Sequence, residues 1–252
     1  MSRPKVSIAA TGVANLASMR AALVRAGAEA VATTDADALA EADLAVLPGV
    51  GAFGEAMEAL RSLGLDLALA ERWKRRAPTL GVCLGMQLFF EASEESPDVV
   101  GLGILPGTIR RFASGLPLPQ LGWNRVAADG AGGGAGAARP GTAEGASSSG
   151  GIVEAGWAYF ANSYRLDTAP PGCRAWLSDY GERFVAALEA GFEESGAVPA
   201  GRPAAGGRAA PEGGPGSGRP ALLLCQFHPE LSGRWGLGLL RRWIGAAEGS
   251  EA

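Results

Sequence analysis

"TLGVCLGMQLFF", residues 79–90, decides how the rest of the chain is read. A short apolar run leads to Cys83, which stands between Gly81 and Gly85, and an apolar stretch over 84–92 follows. Gly-x-Cys-x-Gly after a strand and before a helix is the form of a nucleophile elbow, with cysteine in the place of serine. The glycines suit it because a sharp strand-to-helix turn brings backbone too close for side chains. Such a turn presents the sulfur, and the helix that follows aims its N-terminal amides at it, which favours thiolate over thiol. The competing reading is a buried packing cysteine.

Working outward, strands and helices alternate. "KVSIAA" predicts a strand and residues 15–27 an amphipathic helix closed by Gly27. "EAVATT" and "LAVLPG" predict two more strands, and residues 53–69 a helix, before the strand that carries Cys83. This alternation predicts an α/β fold: three layers, a mostly parallel open sheet with helices on both faces. From Thr108 on the pattern turns to strands and tight turns: "TIRRF", "GWNRVA", "GWAYFANSY", "CRAWLSDYG", "RFVAALEAG" and "ALLLCQF". These predict antiparallel strands added in the C-terminal half, with a last helix over 236–244. Two segments break the pattern. Residues 128–151 and 193–220 together hold 17 of the chain's 39 glycines and bury almost nothing, so both are expected to be flexible insertions in a single domain spanning 1–252.

With 252 residues the chain can bury a proper core, and its net charge of −4 gives no argument for a nucleic-acid binder. No window approaches a membrane span, no secretion signal is evident, and the three cysteines lie far apart, so a cytoplasmic protein without a disulfide framework or zinc site is expected. Cys173 and Cys225 are read as packing residues. His228 is the single histidine, so any mechanism that needs an imidazole must use it.

That histidine lies in "CQFHPE", at the end of an apolar strand, with Glu230 two residues on. A thiol, an imidazole to take its proton and a carboxylate to orient the ring make a nucleophile–base–orienter set. A structural loop histidine is the alternative. "LPGVGAFG", residues 47–54, lacks the lysine and serine of a P-loop. It reads either as a structural turn or as a strip offering backbone N–H groups to an oxyanion.

Taken together and in this order, the three stretches resemble the class I (triad) glutamine amidotransferases, and within them the glutaminase subunits of imidazole glycerol phosphate synthase. The resemblance is carried by "GVCLGMQLFFEASEES", "GLGILPGTIRRF", "LGWN", "YFANSY", "SDYGERFVAALEAG" and "QFHPELSGRWGLGLL", which cover nearly all the chain outside the two insertions. It implies a glutaminase that works through a thioester on Cys83, with His228 as base and Glu230 as its orienter. It further implies an oxyanion hole from Leu84 and from Gly49, Val50 and Gly51, glutamine contacts at Gln87, Glu95, Ser163 and Tyr164 with Gly51, and no cofactor. A cyclase subunit is the implied partner, forming a heterodimer in histidine biosynthesis, receiving the ammonia and docking at Trp123.

Four positions depart from the family pattern: Gln120 before "LGWN" and Asn162 in "YFANSY" stand where histidine is usual, Leu231 where lysine is common, and Ala14 in "GVANL" where glycine is usual. None touches the triad. Two further readings stay open on the sequence: a glutaminase feeding another synthase, such as one for anthranilate or pyridoxal phosphate, and a catalytically silent binding or regulatory subunit.

Overall fold

The computed structural model describes residues 3–12, 15–113, 115–129, 151–191 and 220–248. Its N-terminal half runs β1 (Lys5–Ala9), α1 (Leu16–Ala26), β2 (Glu29–Thr33), α2 (Ala36–Ala40), β3 (Leu44–Gly49), α3 (Phe53–Ser62), α4 (Leu65–Lys74), β4 (Thr79–Cys83) and α5 (Leu84–Gln87). Local chemistry sets many of these limits. Asn15 caps α1 by accepting from the Ser18 N–H at 3.2 Å, and Gly27, at φ 113°, closes it in the left-handed conformation.

The second half adds β5 (Ala92–Ser93), β6 (Thr108–Arg111), β7 (Gln120–Ala128), β8 (Gly156–Asn162), β9 (Tyr164–Arg165), β10 (Arg174–Asp179), β11 (Arg183–Ala190), β12 (Leu222–Cys225), a 3-10 turn at Pro229–Leu231 and α6 (Gly233–Glu248). One nine-stranded sheet has the order β2-β1-β3-β4-β12-β11-β10-β7-β8, and β5, β6 and β9 form a smaller one. Strands β2, β1, β3, β4 and β12 pair in parallel, whereas β11, β10, β7 and β8 pair antiparallel. The parallel core with antiparallel additions therefore holds. Every residue of β3, β4 and β12 is buried, as strands covered on both faces must be. On one face α1 and α6 supply Met19, Leu23, Leu239 and Trp243 to the core. The other is packed by Leu39 of α2, Phe53 and Met57 of α3, Leu65 and Leu69 of α4 and Leu84 of α5.

Three helix expectations are corrected. The helix expected over 53–69 is two, because Gly64 takes φ 69° and both ends α3 and begins α4. The helix expected over 84–92 is a single turn. Beyond Gln87 the carbonyls of Leu88, Phe89 and Phe90 accept instead from Leu102, Leu105 and Gly103 (2.8, 3.0 and 3.3 Å), so the loop captures the groups a longer helix would use. Gly101 lets that loop approach: a Cβ there would lie 2.0 Å from the Phe90 carbonyl oxygen. The last helix is longer than expected and begins at Gly233 rather than Gly236.

The expected insertions at 128–151 and 193–220 lie almost wholly outside the described residues. Their flanks are informative. Val126 pairs with Gly156 and Ala190 with Leu222, so each segment joins the adjacent ends of two antiparallel neighbours. Glu189, fully buried on β11, accepts from the Ile152 and Val153 N–H groups at 2.7 and 3.2 Å and from Arg174 at 3.0 Å, fixing where the chain re-enters after the first segment.

Arg72 holds the helical layer to the sheet. Wholly buried on α4, it donates to the Leu39, Ala40 and Ala42 carbonyls at the end of α2 and to the Pro78 carbonyl and Thr79 hydroxyl before β4. A cation suits the carbonyl end of a helix, and each carbonyl left dry would cost about 1–3 kcal/mol. Arg72→Met is therefore expected to destabilise the fold by at least ~3 kcal/mol, read as a fall in the urea midpoint at unchanged slope.

Candidate active site

Topology alone brings the candidate residues together. In the parallel sheet β4 lies between β3 and β12, with Gly49 opposite Cys83 and Cys225 opposite Val82. The carboxyl ends of the three strands therefore deliver Gly49–Gly51, Cys83 and, three residues past β12, His228 to one edge, where reactive groups of such sheets collect.

Cys83 is strained, at φ 54° and ψ −115°, a conformation that costs a residue with a Cβ about 1–3 kcal/mol. The surrounding glycines make the strain affordable by allowing close approach. A Cβ on Gly85 would sit 1.9 Å from the Leu47 carbonyl oxygen, and one on Gly49 would sit 2.7 Å from the Gly85 nitrogen. On Gly81 it would meet Leu224 Cδ2 at 2.7 Å. The sulfur lies 3.8 Å from the Ala161 carbonyl oxygen of β8 and 3.8 Å from Gln226 Nε2. With α5 only one turn long, little macrodipole acts on it.

His228 is the first titratable side chain past the end of β12. Its Nδ1 lies 2.9 Å from Glu230 Oε1, so Nε2 is the ring nitrogen left for another partner. Burial by itself would lower the imidazole. Hydrogen bonds to Cys83 and Glu230, reinforced by the negative charge of each, outweigh it and push His228 up from 6.5 to about 10. Burial pushes Cys173 up to about 11 and, with Glu189 and Glu230 nearby, Cys225 well above the ordinary thiol range. Burial thus keeps both as thiols at neutral pH.

The sign of the His228 shift gives a test. A base raised on folding adds stability that is complete below about 6.5 and is lost as pH rises through about 10. The melting-temperature advantage of the wild-type chain over Glu230→Gln is expected to be full near neutrality and to shrink through that alkaline window. A difference independent of pH would contradict the pairing.

The ring is also held from behind. The His228 N–H donates to the Tyr159 carbonyl at 2.9 Å, and the Tyr159 N–H donates to Ser232 Oγ at 2.9 Å. The Ser232 hydroxyl donates in turn to the His228 carbonyl at 2.6 Å. On the outer face of β7, Trp123 packs edge-to-face on Tyr159 at 6.2 Å, one hydrogen bond from the His228 backbone. Trp123, Leu121 and Leu231 are 48%, 66% and 43% exposed, large apolar side chains that the described residues do not cover.

The remaining predicted positions divide. Leu84 opens α5, where a helix leaves its first N–H groups unpaired, and Gly51 has φ 98° beside the half-exposed Val50. Gln87 is buried and donates to the Tyr164 carbonyl at 3.2 Å and to Gln226 Oε1 at 3.0 Å. Glu95 accepts from the Phe53 N–H at 2.7 Å and so caps α3, whose own cap residue, Ala52, has no side-chain oxygen. Ser163 accepts from the Phe112 N–H through its carbonyl, at 3.1 Å. Gln120 and Asn162, the two unusual residues, prove to be directly opposed in the β7–β8 register and are both buried. The sequence reading passed over Gln226 and Ser232. For Gln226 a signal existed: it stands two residues before His228 at a strand end, and residues two apart in extended chain share a face.

Comparison with known proteins fits this geometry. Residues 11–129 match the family described as Glutamine amidotransferase class-I, a span that holds Cys83 and Gly49–Gly51 and stops before His228. Over 239 residues the chain is 36% identical to the imidazole glycerol phosphate synthase subunit HisH of Symbiobacterium thermophilum, covering 95% of this chain and 92% of that protein. It is 36% identical to the subunit of the same name from Herpetosiphon aurantiacus, over 92% of this chain and 90% of that one. The chain belongs to the HisH family. Solved structures agree on the fold: a glutamine amidotransferase crystal structure superposes with a TM-score of 0.64 at 16% identity, over 96% of this chain and 98% of the other. The PurLQS structure from Thermotoga maritima gives 0.60 at 13% identity, over 96% and 97%. The HisH relationship spans both halves of the site, Cys83 on one and His228–Glu230 on the other.

Proposed function

We propose that the chain is the glutaminase subunit of imidazole glycerol phosphate synthase, hydrolysing glutamine through Cys83, His228 and Glu230 and passing the ammonia to a cyclase subunit. The observation that carries this is the alignment of β4 with β12, which sets an elbow cysteine against a carboxylate-oriented imidazole. Cys83 Sγ attacks the side-chain amide carbon. The amide of Leu84 and the strip Gly49, Val50 and Gly51 hold the oxyanion, where donors to developing charge are worth several kcal/mol. The C–N bond breaks as the His228 imidazolium gives its proton to the leaving amine, leaving ammonia and a γ-glutamyl thioester. Water then attacks the thioester with neutral His228 as base, releasing glutamate and restoring the thiolate pair.

Gln87, Glu95, Ser163 and Tyr164 are assigned to holding glutamine. Their existing bonds leave Gln87 its Oε1 and Glu95 its second carboxylate oxygen for that purpose. The exposed Trp123, Leu121 and Leu231 form the docking face for the cyclase, and Leu231 makes that face more apolar than a lysine would. The same reading takes the chain as one catalytic domain in the cytoplasm, with both glycine-rich segments as appendages between neighbouring strands. No described helix is long and apolar enough to cross a membrane, and the described residues contain no cluster of His, Cys, Asp and Glu suited to a metal.

Because Trp123 reaches His228 through Tyr159, docking bears directly on the triad. Glutamine hydrolysis by the chain alone is expected to be slow and to rise at least ~10-fold when the cyclase is added, with Trp123→Ala removing most of the rise. Equal turnover with and without the cyclase would contradict the proposal.

A further inference from the structure

Cys83 has a polar neighbour that the mechanism above does not use. Gln226, on the strand end that leads to His228, is wholly buried and presents Nε2 3.8 Å from the Cys83 sulfur. Which way round its amide sits is fixed by a chain of bonds. The Tyr164 carbonyl can only accept, so Gln87 must turn Nε2 toward it. The second hydrogen of that Nε2 then needs an acceptor, and Gln226 meets it with Oε1 at 3.0 Å. Nothing but the NH2 end of Gln226 is left to face the sulfur.

We propose that Gln226 is a catalytic residue that donates a hydrogen bond to the Cys83 sulfur when it is ionised, and that Gln87 is the positioning residue that orients its amide. The inference rests on the reading of Cys83 as the nucleophile. As a thiol, Sγ donates to the Ala161 carbonyl. Once ionised it has no hydrogen for that bond, and the carbonyl oxygen faces a negative charge. The N–H of Gln226 is the partner that gains, because a hydrogen bond to an ion in a dry site is about twice as strong as a neutral one. Packing alone does not account for the pair. "ALLLCQF" is otherwise apolar, and a methionine would fill the place of Gln226 without the cost of burying an amide. For substrate binding the consequence is that both Gln87 amide hydrogens are committed inside the protein.

The test is the pH dependence of Cys83 alkylation by iodoacetamide in the full-length chain, followed by peptide mass, with thermal melting as a control. Gln226→Met is expected to raise the alkylation midpoint by about one unit, a ~10-fold slower reaction on the acid side of the midpoint. Gln87→Met should shift it the same way by less, and the double variant should be no worse than Gln226→Met alone. An unshifted midpoint in Gln226→Met, whatever the melting temperature, would overturn the proposal. Should Gln226→Met fail to fold, Gln87→Met decides it, and an unshifted midpoint there would overturn it equally. Wild-type Cys83 reacting no faster than Cys173 would instead overturn the nucleophile reading beneath it.

Discussion

Cys83→Ala, reconstituted with the cyclase, is expected to lose glutamine-driven cyclisation by at least ~10³-fold while ammonia-driven cyclisation survives. The reason is specific to this site. Cys173 and Cys225 are held as thiols by burial, whereas the His228 ring, held by Glu230 at 2.9 Å, has its charged form favoured by Cys83. Alanine leaves nothing to attack the amide and nothing for water to displace. The variant should still fold, since alanine tolerates φ 54° about as poorly as cysteine does and is smaller. Loss of both reactions would mean that the residue supports the interface or the fold rather than the chemistry.

The second large effect is structural. Gly85→Ala places a methyl group 1.9 Å from the Leu47 carbonyl oxygen and 2.8 Å from its carbon, both backbone atoms of the fully buried β3. Backbone in the middle of a parallel sheet cannot step aside, so α5 must lift or the β3–β4 pairing must part. Destabilisation beyond ~4 kcal/mol, seen as loss of soluble folded protein, is expected. Gly81→Ala should be milder, since its first obstacle is Leu224 Cδ2 at 2.7 Å, the far end of a side chain. Gly245→Ala, in α6 with nothing within 4 Å, should stabilise by ~0.5–1 kcal/mol and shows that alanine is not itself the problem. Equal tolerance at Gly85 and Gly245 would contradict the close approach that the elbow requires.

The contrast between these glycines also shows what a sequence can carry. The elbow was legible because its needs are local: two glycines, one nucleophile and a change of period from strand to helix. His228 and Glu230 were legible because the chain has one histidine and a carboxylate stands beside it. That they meet Cys83 depends on β12 inserting beside β4 after more than a hundred residues of antiparallel excursion, and no local pattern states this. The single-turn α5 was missed for a similar reason. Residues 84–92 have helical character, but the carbonyls of Leu88, Phe89 and Phe90 are taken by a loop from 102–105. The break at Gly64 was visible as a glycine, and only its φ of 69° decides between a tolerated glycine and a helix end. Gln120 and Asn162 looked like separate departures along the chain. Their pairing across β7 and β8 sets the two amides side by side on the same face.

Glu95 illustrates a role that motif resemblance alone leaves incomplete. It is assigned to glutamine, yet one of its oxygens caps α3 at 2.7 Å while Ser96 accepts the next N–H at 3.1 Å. An uncapped helix start costs about 1 kcal/mol, so Glu95 contributes to stability independently of the binding proposed for it.

The central claim is that Cys83, poised by His228, is the nucleophile. It is tested most directly by exposing the full chain with its cyclase to a glutamine-like diazo-oxo-norleucine and mapping the adduct by peptide mass. One adduct per chain, on Cys83 and suppressed by excess glutamine, is the predicted result. An adduct on Cys173 or Cys225, or none at all, would contradict it.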